Sequence, residues 1–519
     1  MVRTESKHLA TTELKKLSEI RKIALLSGAF FLSFFQINAQ NSVLELLPGS
    51  EVLGYNKKLG YQYLVGGVNF RYQGNTMYCD SAHYFDKIDV VRAYGNVHIA
   101  KDDINLFCDS LFYNGKTRKA KLWGHVRVRD LEYKLSTDSL EYNAKKGQAI
   151  YRNGGKIESI VSKEVLTSRV GYFYPETKNF FFRGKVSYKN AELSMFTDTL
   201  QYNYAKQLTY FYGPTQIIRD STILFCDRGW YHIPTEEGSL IGNARILDGS
   251  RTIKGDTLLY QPQKGRSSGR GHIYYQDTLK NIWFQGDRAV SNDKEYYSFL
   301  TGHALAVKIQ KNDTIYIHAD TLYNVNDSTG NTILSKAYHG AKLFHRSFQA
   351  ICDSLNYDEQ IGKVELFQDP IVWSKNAELK GDKIDIFLSD SLIQRTEIYD
   401  NATAIMEVDS GNYYNQVAGK KIVALFKDNE LVRTDVTGNA RTIFYPEKEE
   451  KTDTSVIIKR VGMNRLFSSD LRIYLDSGEV TGVTYFSEPD GVFYPIDQID
   501  PEEQFIPEFK WNPALRPKD

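Results

Sequence analysis

Between Ile104 and Val128 the chain reads INLFCDSLFYNGKTRKAKLWGHVRV, two runs of alternating apolar and polar residues around Asn114-Gly115-Lys116. A period of two belongs to a half-buried strand, and Asn-Gly between two such runs is a strong hairpin signal, so a β-hairpin is predicted here. The first arm alternates as Ile104, Leu106 and Cys108, slips by one at Asp109-Ser110, and resumes as Leu111 and Tyr113. Such a slip requires a bulge or a corner, because otherwise every later side chain changes face. The second arm keeps one parity through Ala120, Leu122, Gly124, Val126 and Val128. Its middle inner position is a glycine, which leaves room for a bend or a close backbone approach. Both arms are therefore expected to fold across their middles, giving a V-shaped section with an apolar inside.

The same unit recurs. The Asp-centred corner appears at Asp80, Asp109, Asp138, Asp198, Asp227, Asp256, Asp287, Asp320, Asp353 and Asp382, mostly followed by Ser or Thr and then Leu or Ala. Spacings are 29 to 33 residues, with one gap of 60 that conceals a degenerate copy around Ser168 to Tyr174. Between corners lies the glycine-centred arm, as in Gly95-Asn96-Val97, Gly124-His125-Val126, Gly184-Lys185-Val186, Gly242-Asn243-Ala244, Gly271-His272-Ile273, Gly302-His303-Ala304 and Gly438-Asn439-Ala440. In the copy around Gly340, Lys342 falls on the inner parity and interrupts the apolar pattern. After Gly381 the period stretches, and Gly419-Lys420-Lys421-Ile422 reads as a weaker corner.

This gives an order along the chain: a signal peptide at 1–40, a lead-in at 41–64, repeats at 65–445, a charged loop at 446–465, terminal strands at 466–487 and a Pro-rich tail at 488–519. The tail holds six of the thirteen prolines and is expected to be extended rather than a sheet interior.

Length alone would suggest about three domains, but a repeating unit overrides that expectation. With 41% hydrophobic and 25% charged residues, the chain has ordinary globular composition, and its 35 tyrosines suit strands with one half-exposed face. A net charge of +1, with six of the basic residues in the first 22, leaves a near-neutral body and no basic stripe for nucleic acid. Lys15, Lys16, Arg21 and Lys22 precede an apolar run from Ile23 to Phe35 and the end Ala39-Gln40. That order is that of a secretory signal peptide, with an uncleaved anchor as the competing reading, and no later stretch is long and apolar enough to span a membrane as a helix.

Candidate chemistry is sparse. Ten equivalent aspartates without a repeated acid, base or nucleophile beside them read as structural corners, where Asp binds neighbouring backbone groups. Asp80, Asp109, Asp138, Asp198, Asp256, Asp320 and Asp353 carry the pattern most clearly. Cys79, Cys108, Cys226 and Cys352 each precede a corner Asp on the inner parity. In consecutive hairpins such positions lie two strands, roughly 9.6 Å, apart, beyond the ~7 Å reach of a disulfide, so they read as small buried hydrophobes. His125, His272 and His303 follow the repeat glycine, point outward and read as surface residues. No metal-ligand spacing, phosphate loop or nucleophile elbow is present, so no cofactor, no metal site and no catalytic activity are expected.

The inner stripe is where function is expected: Val97, Ile99, Leu106, Leu111, Tyr113, Val126, Val128, Leu140, Tyr142, Phe180, Phe182, Leu200, Tyr202, Leu258 and Tyr260. If the V stays open this stripe lines an apolar groove; if two sheets close fully the same stripe is simply core. In the second case the chain is a structural or adhesive β-solenoid of the cell envelope.

The alternation of (Ala/Cys/Thr/Gly)-Asp-(Ser/Thr)-Leu-x-Tyr with Gly-(Asn/His)-Val-x-(Ile/Val), behind a signal peptide, resembles the OstA/LptA family of periplasmic lipopolysaccharide-transport proteins. The likeness runs well over Val65 to Phe387 and loosely over Ile398 to Phe444, and the chain is similar to the long OstA-like proteins of the Bacteroidota type. It implies an all-β, elongated, open β-jellyroll, V-shaped and solenoid-like, of repeated bent antiparallel hairpins. It further implies a periplasmic bridge that shields lipopolysaccharide acyl chains, with exposed strand edges docking on other jellyroll components.

Overall fold

The computed structural model describes residues 45–518, apart from 73–74, 102, 132, 162, 175–176, 192, 204, 233, 236, 311–312, 329–331, 390–391, 429, 452–455 and 477–478. The expected signal peptide lies outside the described residues. The fold is all-β, and its strands pair antiparallel with their sequence neighbours. The described residues fall into two compact units, 45–270 and 271–518, a division that the repeat pattern did not announce.

In the first unit, Tyr61–Tyr72, Asn75–Phe85, Val90–Lys101, Ile104–Asn114, Lys119–Arg129 and Tyr133–Asn143 follow one another as hairpins. The lead-in contributes Glu45–Leu46 and Val52–Asn56, which both pair with Tyr61–Tyr72. Over the degenerate copy the strands are cut at their bends, as in Val165–Ser168 and Val170–Tyr174, before long hairpins resume at Asn179–Lys189. There Arg169 takes the place of the corner Asp, donating its main-chain N–H to the Gly184 carbonyl.

The bend is a β-bulge. On Ile104–Asn114 and Lys119–Arg129 the register steps between Phe107↔Arg127 and Ser110↔Trp123, so that Gly124 and His125 together oppose Asp109. Both bulged residues are left-handed, with φ of 73° and 47°. That conformation is nearly free for glycine and least costly among other residues for Asn, Asp and His, which accounts for the Gly-(Asn/His) pair. A Cβ on Gly124 would sit 2.2 Å from the Asp109 carboxylate, so the glycine also makes space for the corner side chain. The Asn114-Gly115 hairpin forms with a longer turn than the dipeptide suggests. Asn114 Oδ1 accepts from Thr117 N at 2.8 Å, and the left-handed residue is Arg118 rather than Gly115.

In the second unit, Ile282–Asn292, Tyr297–Gln310 and Asp313–Asn326 pair in order. From Thr332 onward the strands break at their bends and the halves build two ladders. One runs through Thr332–Tyr338, Ser354–Asp358, Lys363–Phe367 and Lys383–Ser389. The other runs through Ala341–His345, Phe348–Cys352, Ile371–Ser374 and Ala377–Lys380. Leu392–Val408 joins both and is followed by Tyr413–Lys427, Glu430–Phe444 and Gly462–Asp476. Apolar residues of both ladders, among them Ala350 and Val372 from one and Leu366 and Ile384 from the other, pack into one core.

Two details differ from the sequence expectation. Lys342 is exposed and interrupts nothing, because the left-handed pair is His339-Gly340, one residue earlier than supposed, which turns Ala341 inward. Within 446–465, Glu447–Lys451 and Val456–Arg460 pair as a separate two-stranded hairpin. Glu479–Phe486 and Asp490–Pro495 then both pair with Gly462–Asp476.

Candidate functional site

In the 45–270 unit the repeat places one apolar face of successive strands on the same side. Cross-strand pairs on this face include Ile99↔Leu106, Val97↔Cys108, Leu106↔Val128, Leu111↔Leu122, Tyr113↔Ala120, Leu122↔Leu140 and Ala120↔Tyr142. Farther along come Phe180↔Tyr202, Phe182↔Leu200 and Leu240↔Leu258. Val97, Leu106, Leu111, Val126, Val128, Leu140, Tyr142, Phe180, Phe182, Leu200, Tyr202, Leu258 and Tyr260 are buried, whereas Ile99 and Tyr113 are half-buried. In the 45–270 unit this interior is therefore filled by its own side chains, with Phe173 and Phe180 stacked at 4.6 Å.

The crease of the bend is lined by the residue before each corner Asp. Cys79, Cys108 and Thr137 start this line, and Thr197 and Cys226 continue it. Its hydroxyls are satisfied internally: Thr137 Oγ1 donates to the Gly154 carbonyl at 2.6 Å, and Thr197 and Thr215 Oγ1 share a 2.8 Å hydrogen bond. The four cysteines are free thiols. Burial, reinforced by the adjacent aspartates, pushes each of them up to about 12, where the nucleophilic thiolate is scarce.

The corner aspartates stand on the outside of the bend and clasp it. Asp109 Oδ2 is 2.8 Å from His125 Nδ1, Asn96 Nδ2 donates to Asp80 at 2.9 Å, and Asn243 Nδ2 donates to Asp227 at 2.8 Å. His303 lies 3.5 Å from Asp287, and His339 3.6 Å from Asp353. The hydroxyl that follows the Asp in the motif also binds it, as Thr199 does on Asp198, Thr321 on Asp320 and Ser354 on Asp353. Asp138 and Asp256 are likewise exposed at their bends. The Asp and Gly-(Asn/His) motifs are thus two halves of one device, with His125, His303 and His339 among its partners. Among the described residues no group of three or more His, Cys, Asp or Glu is placed to hold a metal ion. Nor is any helix among them long and apolar enough to cross a membrane.

The 271–518 unit adds an interior that the inner stripe did not include. Its floor is small-residue rich, with Ala319, Ala337, Ala341, Ala350, Ala402 and Ala440 buried. Half-buried Ile317, Leu343, Val364, Leu379, Ile386 and Val417 pack against it. The signal that locates them is the same parity rule, counted from Asp320, Asp353 and Asp382.

No curated protein is significantly similar to the chain. Among solved structures, LptH, the LptA-homologous periplasmic component of the lipopolysaccharide transport device of Pseudomonas aeruginosa, aligns at 15% identity. The alignment covers 22% of this chain and 82% of that one, with a TM-score of 0.20. A dipeptidyl aminopeptidase IV of Bacteroides ovatus, itself described as putative, aligns at 11% identity over 78% of this chain and 56% of the other, with a TM-score of 0.09. Residues 50–198, which hold the first bent hairpins and their clasps, match the family described as OstA-like protein.

Proposed function

We propose that the protein is a periplasmic lipid-binding component of lipopolysaccharide transport, holding acyl chains against its apolar interior while headgroups remain in water. The observation that carries this reading is the apolar parity of the inner face through successive bent hairpins, interrupted there by small residues at the crease. Burying a twelve-carbon acyl chain on such a face gains about 10 kcal/mol before entropic costs, at about 0.8 kcal/mol per methylene, and needs no catalytic group. Strand edges such as Asp490–Pro495, whose Val492 and Phe493 are exposed, suit docking of another jellyroll by strand addition.

A photo-crosslinking residue at Ile99 or Tyr113, the half-buried members of the stripe, tests the reading on protein expressed in its own envelope. Lipopolysaccharide crosslinked at these positions, and absent at exposed Tyr94 on the outer face, is expected; equal labelling at inner and outer positions would overturn it. A closed-core envelope solenoid is the second reading, favoured by the burial of thirteen of the fifteen stripe residues. It is distinguished by the absence of lipid in native mass spectrometry of the purified protein.

A further inference from the structure

The Pro-rich tail folds back on the chain's own sheet. In the 271–518 unit, seven adjacent strands from Phe348–Cys352 to Gly462–Asp476 form one ladder. Residues 503–516 cross the outer face of this ladder. At one end Glu503 pairs with Arg465, and buried Ile506 packs with Ala418, Ile443 and Met463. At the other, Arg516 Nε donates to Gln349 Oε1 at 2.6 Å and Nη1 to the Lys375 carbonyl at 2.8 Å. These six interstrand gaps span about 29 Å, and the segment, turned at 506–509 and again at 512–516, is fastened to the ladder at both ends and at points between.

Three polar side chains of the ladder are buried under it. Gln416 reads the tail in both directions, accepting from Ile506 N at 2.9 Å and donating to the Gln504 carbonyl at 2.8 Å. Glu378, fully buried, accepts from Asn512 N at 3.1 Å and from the Trp373 indole at 2.8 Å. Gln349 takes the Arg516 guanidinium. Buried Gln and Glu on the outer face of a sheet are costly unless paired. Their presence on three separate strands marks a face built to receive this main chain. Yet the tail has no regular structure beyond two short 3₁₀ turns, Pro501–Glu503 and Pro513–Leu515, and Phe505 and Leu515 remain exposed. Ile506 and Phe509 anchor it in a small apolar cluster and Tyr414 contacts Phe505, Phe509 and Trp511, but residues 501–518 pair with no strand, and a segment without ladder hydrogen bonds detaches at lower free energy than the sheet beneath.

The inner face of the same ladder carries Leu379, Ala404 and Val417, half-buried against the opposite ladder. Access to the interior there requires the crossed ladder to change its coiling, and a segment fastened to several of its strands opposes that change. We propose that residues 501–518 are a releasable strap that sets how far the apolar interior of the 271–518 unit opens. The strap regulates the site of the preceding section, and its relevance to transport rests on that reading.

The test compares three forms of the full chain: the unmodified protein, a Gln349→Cys/Arg516→Cys variant joined by a short bis-maleimide, and a chain ended after Asp500. Hydrogen exchange of Ala377–Lys380 and 413–418 reports the strap without any lipid. A dansylated undecanoic acid reports access to the interior. Exchange in these strands and probe uptake are both expected to rise at least tenfold when the strap is removed and to fall below the unmodified protein when it is joined. Equal exchange in the joined and unmodified protein overturns the strap, even where the shortened chain fails to fold. Strap-dependent exchange with no probe bound in any form leaves the strap standing and overturns the acyl-binding reading of this interior.

Discussion

His125 Nδ1 lies 2.8 Å from Asp109 Oδ2, across a bulge whose other left-handed residue is Gly124. Their side chains are 85% and 60% exposed, so the contact is a surface clasp rather than a buried ion pair. The bend itself is enforced by backbone geometry. Gly124→Ala is therefore expected to cost more than Asp109→Ala. The alanine meets about 1–2 kcal/mol of left-handed strain plus the carboxylate contact, whereas loss of an exposed pair costs about 0–1 kcal/mol. His125→Asn should be nearly neutral, because Asn96 and Asn243 make the same bond elsewhere. Urea midpoints of the three variants check the order, and a Gly124→Ala/Asp109→Ala double variant should recover only the steric part.

The thiols give a second check. With Cys79, Cys108, Cys226 and Cys352 buried and pushed up to about 12, native protein at neutral pH should react with a thiol reagent only on the timescale of unfolding. Four equivalents should react once denaturant is added. A Cys79–Cys108 disulfide under oxidising conditions would contradict the hairpin order, in which Val90–Lys101 separates the two strands.

Acid sensitivity should concentrate in the 271–518 unit. Hydrogen bonds from Lys363 and Lys383 hold the Glu365 carboxyl below its usual 4.5. Burial alone would raise Glu397, but hydrogen bonds from Lys421 and Tyr399 outweigh it and hold this carboxyl low as well. A depressed folded-state pKa stabilises fully above 4.5, and that contribution is lost as the pH falls through the lowered value. Glu365→Gln and Glu397→Gln should flatten the stability profile on this acid limb and leave the slope above pH 5 unchanged, as followed by thermal melts from pH 3 to 7.

Phe180 is buried beside Phe173 and opposite Tyr202. Phe180→Ala is expected to destabilise the 45–270 unit by about 3–5 kcal/mol, as for a large core aromatic. A value near zero in denaturant titration would mean that this interior is loosely filled even without lipid.

Much of the bend was legible in the sequence because it needs rare local conformations. Gly124 and Asp109 announce a left-handed pair and its clasp, and the one-residue slip in parity marks where the register steps. The reading missed bends made without glycine, such as Asp400-Asn401, both left-handed, with Asn401 Nδ2 donating to Asp382 at 3.0 Å. Asn and Asp reach that conformation at modest cost, so the position carries no distinctive letter. It also missed the seat of the tail. Gln349, Glu378 and Gln416 lie far apart along the chain and look like ordinary solvent-facing strand residues until the crossing segment covers them.

The clasp has one further consequence. Because Asp109 and His125 meet on the convex side, the turn does not depend on one residue type at the crease. Cysteine stands there at 79 and 108, threonine at 137 and 197, glycine at 255 and alanine at 319. Curvature and lining are thus written by separate letters, so successive hairpins can change the calibre and polarity of the interior while keeping one gauge.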